Sequence, residues 1–183
     1  FLERSGKRVT TFGLSDKCTY RMGSVSEDHE GYVSFDVIRA EDVLGRVEMK
    51  VPGMFNAKNA LAAIAAADML GVDPADACAI IGTFSGAARR FELTGTLNGA
   101  ELFTDYGHNP TEMKNALYVA RKRCRNGKLW AVVQPHTYSR LRTLFEDYLT
   151  CTKEADVTLV TDIFAAREED LGDIDSKMLV DGM

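Results

Sequence analysis

Lys128-Leu129-Trp130-Ala131-Val132-Val133 runs straight into Gln134-Pro135-His136-Thr137-Tyr138-Ser139-Arg140. After Lys128 the first segment is continuously apolar, as expected of a strand covered on both faces. The second segment is a polar loop that opens a helix from Ser139 to about Thr152. The same grammar repeats on either side. Glu101-Leu102-Phe103-Thr104-Asp105 reads as a strand and Pro110 to Arg125 as a helix. Asp156-Val157-Thr158-Leu159-Val160-Thr161 reads as a further strand. This β-α-β-α-β order predicts an α/β fold with a parallel sheet. Ligands bind such sheets at the carboxyl ends of the strands. Two polar clusters fall at such ends: Asp105-Tyr106-Gly107-His108-Asn109-Pro110-Thr111-Glu112, and Gln134 to Arg140. Consecutive strands of a βαβ unit are often neighbours, so the two clusters are expected to face one another over one cleft.

Toward the N-terminus the texture changes. Ser85-Gly86-Ala87-Ala88 reads as a hinge, because small residues permit unusual backbone angles. Asp73-Pro74 opens a helix running to about Phe84, with Asp as N-cap and Pro at the first helical position. Asn59 to Leu70 is an Ala-rich helix, apolar on most faces, with Gly71 as its stop. Before Pro52-Gly53 the chain reads as strands: Arg8 to Gly13, Tyr32 to Ile38 and Val43 to Val51. Gly and Asp/Ser clusters separate them and suggest a β-meander.

The 183 residues are 45% hydrophobic and 27% charged, enough to bury a core. A formal net charge of -5 argues against nucleic-acid binding through a general positive field. The four cysteines, Cys18, Cys78, Cys124 and Cys151, form no CxxC pair, which fits a reducing cytoplasm. No apolar run reaches the roughly 18 residues of a membrane span. Phe1 to Arg8 is polar and reads as the interior of a longer chain rather than as a signal peptide.

Several residues carry two readings each. Asn56 and Asn59 suit helix capping, or a carboxamide pairing with the edge of adenine. Arg89-Arg90 suits a solvated charge pair, or an arginine fork on phosphate oxygens. His108 and His136 each sit beside Pro and aromatic residues in a strand-end loop, structural or catalytic. Asp105 could cap the following helix or hold ribose hydroxyls. Arg140 opposes the helix dipole in the first turn, which favours a role with a bound carboxylate or phosphate. No G-x-x-x-x-G-K-[ST] loop occurs, and no Asp, Glu or His cluster has metal spacing.

These segments carry a family resemblance. Gly53-Met54-Phe55-Asn56-Ala57-Lys58-Asn59-Ala60-Leu61-Ala62-Ala63 resembles the G-x-H-N-x-x-N-x-x-A-A segment of the Mur ligases. Arg89-Arg90-Phe91-Glu92 resembles the join between their central and C-terminal domains. The Asp105–Glu112 and Gln134–Arg140 clusters resemble their D-Y-G-H-H-P-T-E and Q-P-H-x-Y-[ST]-R blocks, most typical of the L-alanine-adding branch. The resemblance implies that 1–87 is the end of a central ATPase domain. It implies that 88–183 is a Rossmann-like C-terminal domain, with more chain on both sides.

It further implies ATP-dependent joining of L-alanine to UDP-N-acetylmuramate through an acyl phosphate, for peptidoglycan synthesis in the cytoplasm. Mg2+ would accompany the ATP, on ligands upstream. Asn56 and Asn59 would contact adenine, Asp105 the ribose and Arg90 the terminal phosphate. Arg90 and His108 would be catalytic. Tyr106, His108, Asn109, His136 and Arg140 would bind the substrate side. The same likeness implies no membrane partner and a monomer or weak homodimer, with the 183 residues inactive alone. Phe55 and Asn109 stand where the family usually has His, and Thr104 where an acid often stands. The alternatives are a murein-tripeptide recycling ligase, a related amide ligase such as the cyanophycin synthetase module, or a non-catalytic nucleotide-binding module.

Overall fold

The computed structural model describes Gly6 and residues 9–183. It consists of two compact units, one ending at Gly86 and the other beginning at Ala87. No helix among the described residues is long and apolar enough to cross a membrane.

The first unit holds β1 (Phe12–Gly13), β2 (Tyr20–Glu27), β3 (Tyr32–Arg39) and β4 (Asp42–Pro52), in sheet order β1-β2-β3-β4. β2, β3 and β4 form an antiparallel meander. β1 instead runs parallel to β2, so the meander begins one strand later than the sequence suggests. The expected start of the first strand at Arg8 lies outside the described residues. β2 has no clean period of two, because Gly23, Ser24 and Ser26 fall in its middle and the pairing shifts register between Gly23 and Ser26. Along β3, Val33, Phe35 and Val37 are fully buried at alternate positions and build the core with Val47, Met49 and Val51 of β4.

The helix α1 (Met54–Met69) covers this sheet. It begins well before Asn59, so Asn56 is not its cap. Gly53 is the N-cap at φ 99, a conformation that suits a glycine, and its amide donates to Gly31 O at 2.7 Å. Only one stripe of α1 is buried, Ala57, Ala60, Leu61, Ile64 and Ala65, at the i, i+3, i+4 spacing of one helical face. The alanines bring the helix close to the strands, and the opposite face meets solvent. The helix is pinned at its far end by Asp68, which accepts from the Tyr20 hydroxyl at 2.7 Å and from Arg39. Burial, and then Asp68 itself, push the Tyr20 hydroxyl above the usual phenol range. α2 (Pro74–Ile81) is capped by Asp73, which accepts from Ala75 N at 2.8 Å. It ends before Phe84, where two successive three-residue hydrogen bonds tighten the chain.

The second unit departs from the expected sheet. β6 (Ala100–Thr104) is not the first strand of a parallel sheet. It forms an antiparallel hairpin with β5 (Glu92–Leu97). Asn98 and Gly99 turn the hairpin with φ 51 and φ 84, both positive as a two-residue I′ turn requires. The parallel pair is β7 (Trp130–Val133) with β8 (Val157–Val160). α3 (Pro110–Arg123), α4 (Tyr138–Thr143), α5 (Phe145–Tyr148) and α6 (Ser176–Gly182) complete the unit. The helix expected from Ser139 to Thr152 is broken at Leu144, whose φ of -112 leaves the helical range. Ala131 and Val133 face a core of Met113, Leu141, Tyr148, Cys151, Ile174 and Leu179. On the other face Trp130 and Val132 are exposed, so among the described residues this pair is covered on one face, not two.

Asp156 fastens the entry of β8. It accepts from Leu129 N at 2.7 Å and from Arg121 at 2.9 Å. The Leu129 amide first, and then Arg121, hold its carboxyl below the usual carboxylate range.

Two outcomes follow. Asp68→Ala strands the buried Tyr20 hydroxyl and should lower stability by about 1–3 kcal/mol. In hydrogen exchange the loss should fall on residues 9–86. Because the folded Asp156 carboxyl is depressed, its contribution is present above the unfolded value of about 3.9 and is lost as pH falls through the lower folded value. Denaturation midpoints measured from pH 6 downward should therefore fall less steeply in Asp156→Asn than in the parent chain.

Candidate functional site

The chain leaves β6 at Asp105, whose two carboxylate oxygens are taken by backbone amides. Oδ1 accepts from Gly107 N at 2.6 Å and Oδ2 from Phe91 N at 2.9 Å. Asp105 therefore shapes this loop and does not cap α3. The cap is Asn109, whose side chain accepts from Glu112 N at 3.0 Å. Glu112 reaches back to accept from His108 N at 2.9 Å, a reciprocal arrangement close to a capping box. The His108 ring lies 3.1 Å from Tyr106 O through Nδ1. A side chain at Gly107 would place Cβ 2.6 Å from Asp105 Oδ1 and 3.1 Å from Glu112 Cβ, so it would displace the Asp105 carboxylate from the Gly107 amide.

Arg89 and Arg90 approach from the start of the same unit. Their guanidinium carbons lie 4.9 and 5.6 Å from the Tyr106 ring centroid. Arg89 and Phe91 have φ 61 and φ 45, so Arg90 is flanked by two residues in the left-handed region.

Leaving β7, Pro135 is fully buried and His136 pairs with Phe164 in an isolated parallel bridge. Thr137 is the N-cap of α4 at φ 65. Arg140 Nη1 lies 3.0 Å from His136 Nδ1 and 3.3 Å from His136 O. Arginine can only donate, so Nδ1 accepts and the ring proton of His136 sits on Nε2. Ser139 is held by Glu168, which accepts from its amide at 2.8 Å and from its hydroxyl. These two bonds, the hydroxyl first, keep the Glu168 carboxyl below the usual range.

Although β6 and β7 are not hydrogen-bonded neighbours, the two loops meet. The His108 and His136 ring centroids are 5.8 Å apart. Tyr148, fully buried on α5, makes this possible by donating its hydroxyl to His108 O at 2.9 Å. Burial raises its hydroxyl above the usual phenol range, so it remains a donor. Arg90, Asp105, Tyr106, His108, Asn109, His136 and Arg140 thus all belong to the second unit. Asn56 and Asn59 belong to the first. Asn56 is half-buried and donates to Pro52 O at 2.8 Å, while Asn59 is exposed one turn further along α1. Cys151 takes no part: burial pushes its thiol up to about 11, leaving it neutral and unreactive.

Three supporting residues escaped the sequence reading. The Glu112 clasp was available from the spacing of Asn109-Pro110-Thr111-Glu112. Tyr148 and Glu168 gave no local signal, because their partners lie far away in sequence.

Similarity to known proteins decides the family. Residues 89–183 match the model of the Mur ligase glutamate ligase domain, and residues 1–67 match the Mur ligase middle domain. The chain belongs to the Mur ligase family. The UDP-N-acetylmuramate–L-alanine ligase of Alkaliphilus metalliredigens is 40% identical over 94% of this chain and 37% of its own length. That of Clostridium perfringens is 36% identical over 100% of this chain and 39% of its own. Among solved structures, the UDP-N-acetylmuramate-alanine ligase of Thermotoga maritima aligns with TM-score 0.72 at 28% identity, covering 94% of this chain and 36% of that one. A murein peptide ligase from Psychrobacter arcticus aligns with TM-score 0.63 at 29% identity, covering 82% and 31%. The chain thus spans between 31% and 39% of the length of these proteins.

Tyr148→Phe keeps the ring and removes the bond to His108 O. It should cost about 0.5–1.5 kcal/mol in urea denaturation. It should also shift the NMR resonances of His108 more than those of His29.

Proposed function

We propose that the protein carrying this chain joins L-alanine to UDP-N-acetylmuramate at the expense of ATP, in the cytoplasmic synthesis of peptidoglycan precursors. One observation carries the reading. The two loops that hold D-Y-G-H-N-P-T-E and Q-P-H-T-Y-S-R meet at the His108 and His136 rings. They do so in a chain 40% identical to a UDP-N-acetylmuramate–L-alanine ligase.

The chemistry sets the demands on the site. A carboxylate is a poor electrophile, so ATP first converts it to an acyl phosphate. The amine of L-alanine attacks that carbonyl, and the tetrahedral intermediate expels phosphate. Such a reaction needs positioning and neutralisation of developing negative charge more than covalent help from the protein. In this proposal Arg90 meets the transferring phosphoryl group. His136, presenting Nε2–H, and the guanidinium of Arg140 lie where donors to an oxyanion or to the amino-acid carboxylate are needed. His108 and Tyr106 line the same loop contact. Asn109 acts through the cap that fixes His108. Asn56 and Asn59 contact adenine. Asp105, already bonded to two amides, retains lone pairs for a ribose hydroxyl. Residues 1–87 serve the ATP-binding domain and 88–183 the closing C-terminal domain, with Ser85 to Ala88 as the hinge between them.

Among the described residues no three His, Cys, Asp or Glu side chains gather into a metal cage. In this proposal Mg2+ accompanies the ATP, on ligands outside these residues. No G-x-x-x-x-G-K-[ST] loop lies within the 183 residues, so the chain by itself is expected not to turn over.

The test measures ADP release by the complete ligase with UDP-N-acetylmuramate. L-alanine is compared with glycine, L-serine and the recycling tripeptide, and the 183-residue chain serves as control. Strongest turnover with L-alanine supports the proposal. Turnover only with the tripeptide moves the assignment to the murein peptide ligases, and no turnover with any acceptor removes the activity. In an active enzyme, His136→Ala and Arg140→Ala should each lower kcat by roughly a hundredfold or more, as loss of a single oxyanion donor does.

A further inference from the structure

The segment from Thr161 to Asp170 crosses the end of the parallel pair and is fastened to the His136 loop twice. The first fastening is backbone. Thr161 N donates to Val133 O at 2.9 Å, Phe164 N to Pro135 O at 2.8 Å, and Thr137 N to Phe164 O at 2.9 Å. The second is the Glu168 carboxylate on Ser139, one oxygen on the amide and the other on the hydroxyl. Glu168 is set in place by its own amide, which donates to Ala165 O at 3.0 Å across Ala166 at φ 56. Thr137 lies between the two fastenings at φ 65. A β-branched residue adopts that conformation only when its surroundings impose it. His136 directly precedes this strained residue, and Arg140 follows in the first turn of the helix it caps.

We propose that Glu168 is a positioning residue of the candidate site: by clasping Ser139 it holds the Thr137 turn and so aims the Nε2–H of His136 and the guanidinium of Arg140. The catalytic use of this arrangement rests on the ligase reading; the clasp does not. A carboxylate suits the task because its two oxygens accept from two adjacent donors at once. Glutamine can keep both bonds, accepting from the amide and donating to the hydroxyl oxygen, so the role depends on the pair of bonds and not on the charge. Glu169, its neighbour, is exposed and supplies an internal control.

The chain has three histidines, so their ring nitrogens can be followed by 15N NMR, with the His136 signals identified by their loss in His136→Gln. The parent chain should show His136 as the Nε2–H tautomer. Glu168→Ala should convert this to an average of tautomers while the His108 signals and the melting temperature stay close to the parent. Glu168→Gln and Glu169→Ala should keep the parent pattern. An unchanged His136 signature in Glu168→Ala would overturn the proposal. Should that variant not fold, Ser139→Ala removes only the hydroxyl bond; a partial shift of the same signature supports the clasp and a parent signature overturns it.

In the complete ligase, Glu168→Ala should lower kcat/KM for the amino-acid substrate by about tenfold to a hundredfold. The KM for ATP should be unchanged, and Glu168→Gln should restore most of the loss. An inactive parent enzyme would sink the ligase reading alone, since the His136 tautomer decides the clasp independently.

Discussion

A buried hydroxyl must find a partner, and in the second unit that requirement fixes the site. Tyr148 is fully buried, and its hydroxyl donates to His108 O. The body of the ring belongs to the core formed by Met113, Leu141 and Cys151. The polar tip emerges under the loop that carries the Asp105–Glu112 motif. One side chain thus transmits the position of a packed core to a loop that is otherwise held by its own short bonds and by the Arg89–Phe91 segment. The 5.8 Å approach of His108 to His136 is a consequence of that anchoring rather than of strand pairing, since β6 and β7 lie in different sheets.

The rest of the site is built from helix starts. α3 is opened by Asn109 and Glu112 together, α4 by Thr137 with Glu168 reaching in from another segment. Helix starts expose backbone donors that must be satisfied, so acidic and amide side chains collect there for structural reasons. The same side chains place His108 and His136 at the mouths of the loops. Structure and proposed chemistry are therefore not separable by residue type here. Asp105 and Asn109 read as ligand contacts in the motif, yet each first satisfies the backbone around it.

The motifs of the Mur ligase family could be matched by spacing, and the meander and the parallel pair could be expected from the strand pattern, but the partner of the Glu101–Asp105 strand could not. The motif residues sit in loops whose local hydrogen bonds run over two to four residues, as from Asp105 to Gly107 or from His108 to Glu112. Such short-range geometry leaves a signature in sequence order. Strand partnership does not. Glu101 to Asp105 looks like the opening strand of a parallel sheet until Asn98-Gly99 folds it back on β5.

The sequence by itself determined the alternation of strands and helices, the caps at Asp73 and the stop at Gly71, and the two motif loops, because each depends on neighbours within one turn or one strand. It also carried the family. Only the tertiary structure decided that Asn56 lies inside α1 rather than at its cap, since the true cap, Gly53, depends on a bond to Gly31 across the sheet. Only it decided that Tyr148 and Glu168 support the site. Each meets a partner more than 25 residues away, at His108 and Ser139. Nothing within a local window records a contact that the chain must fold back to make.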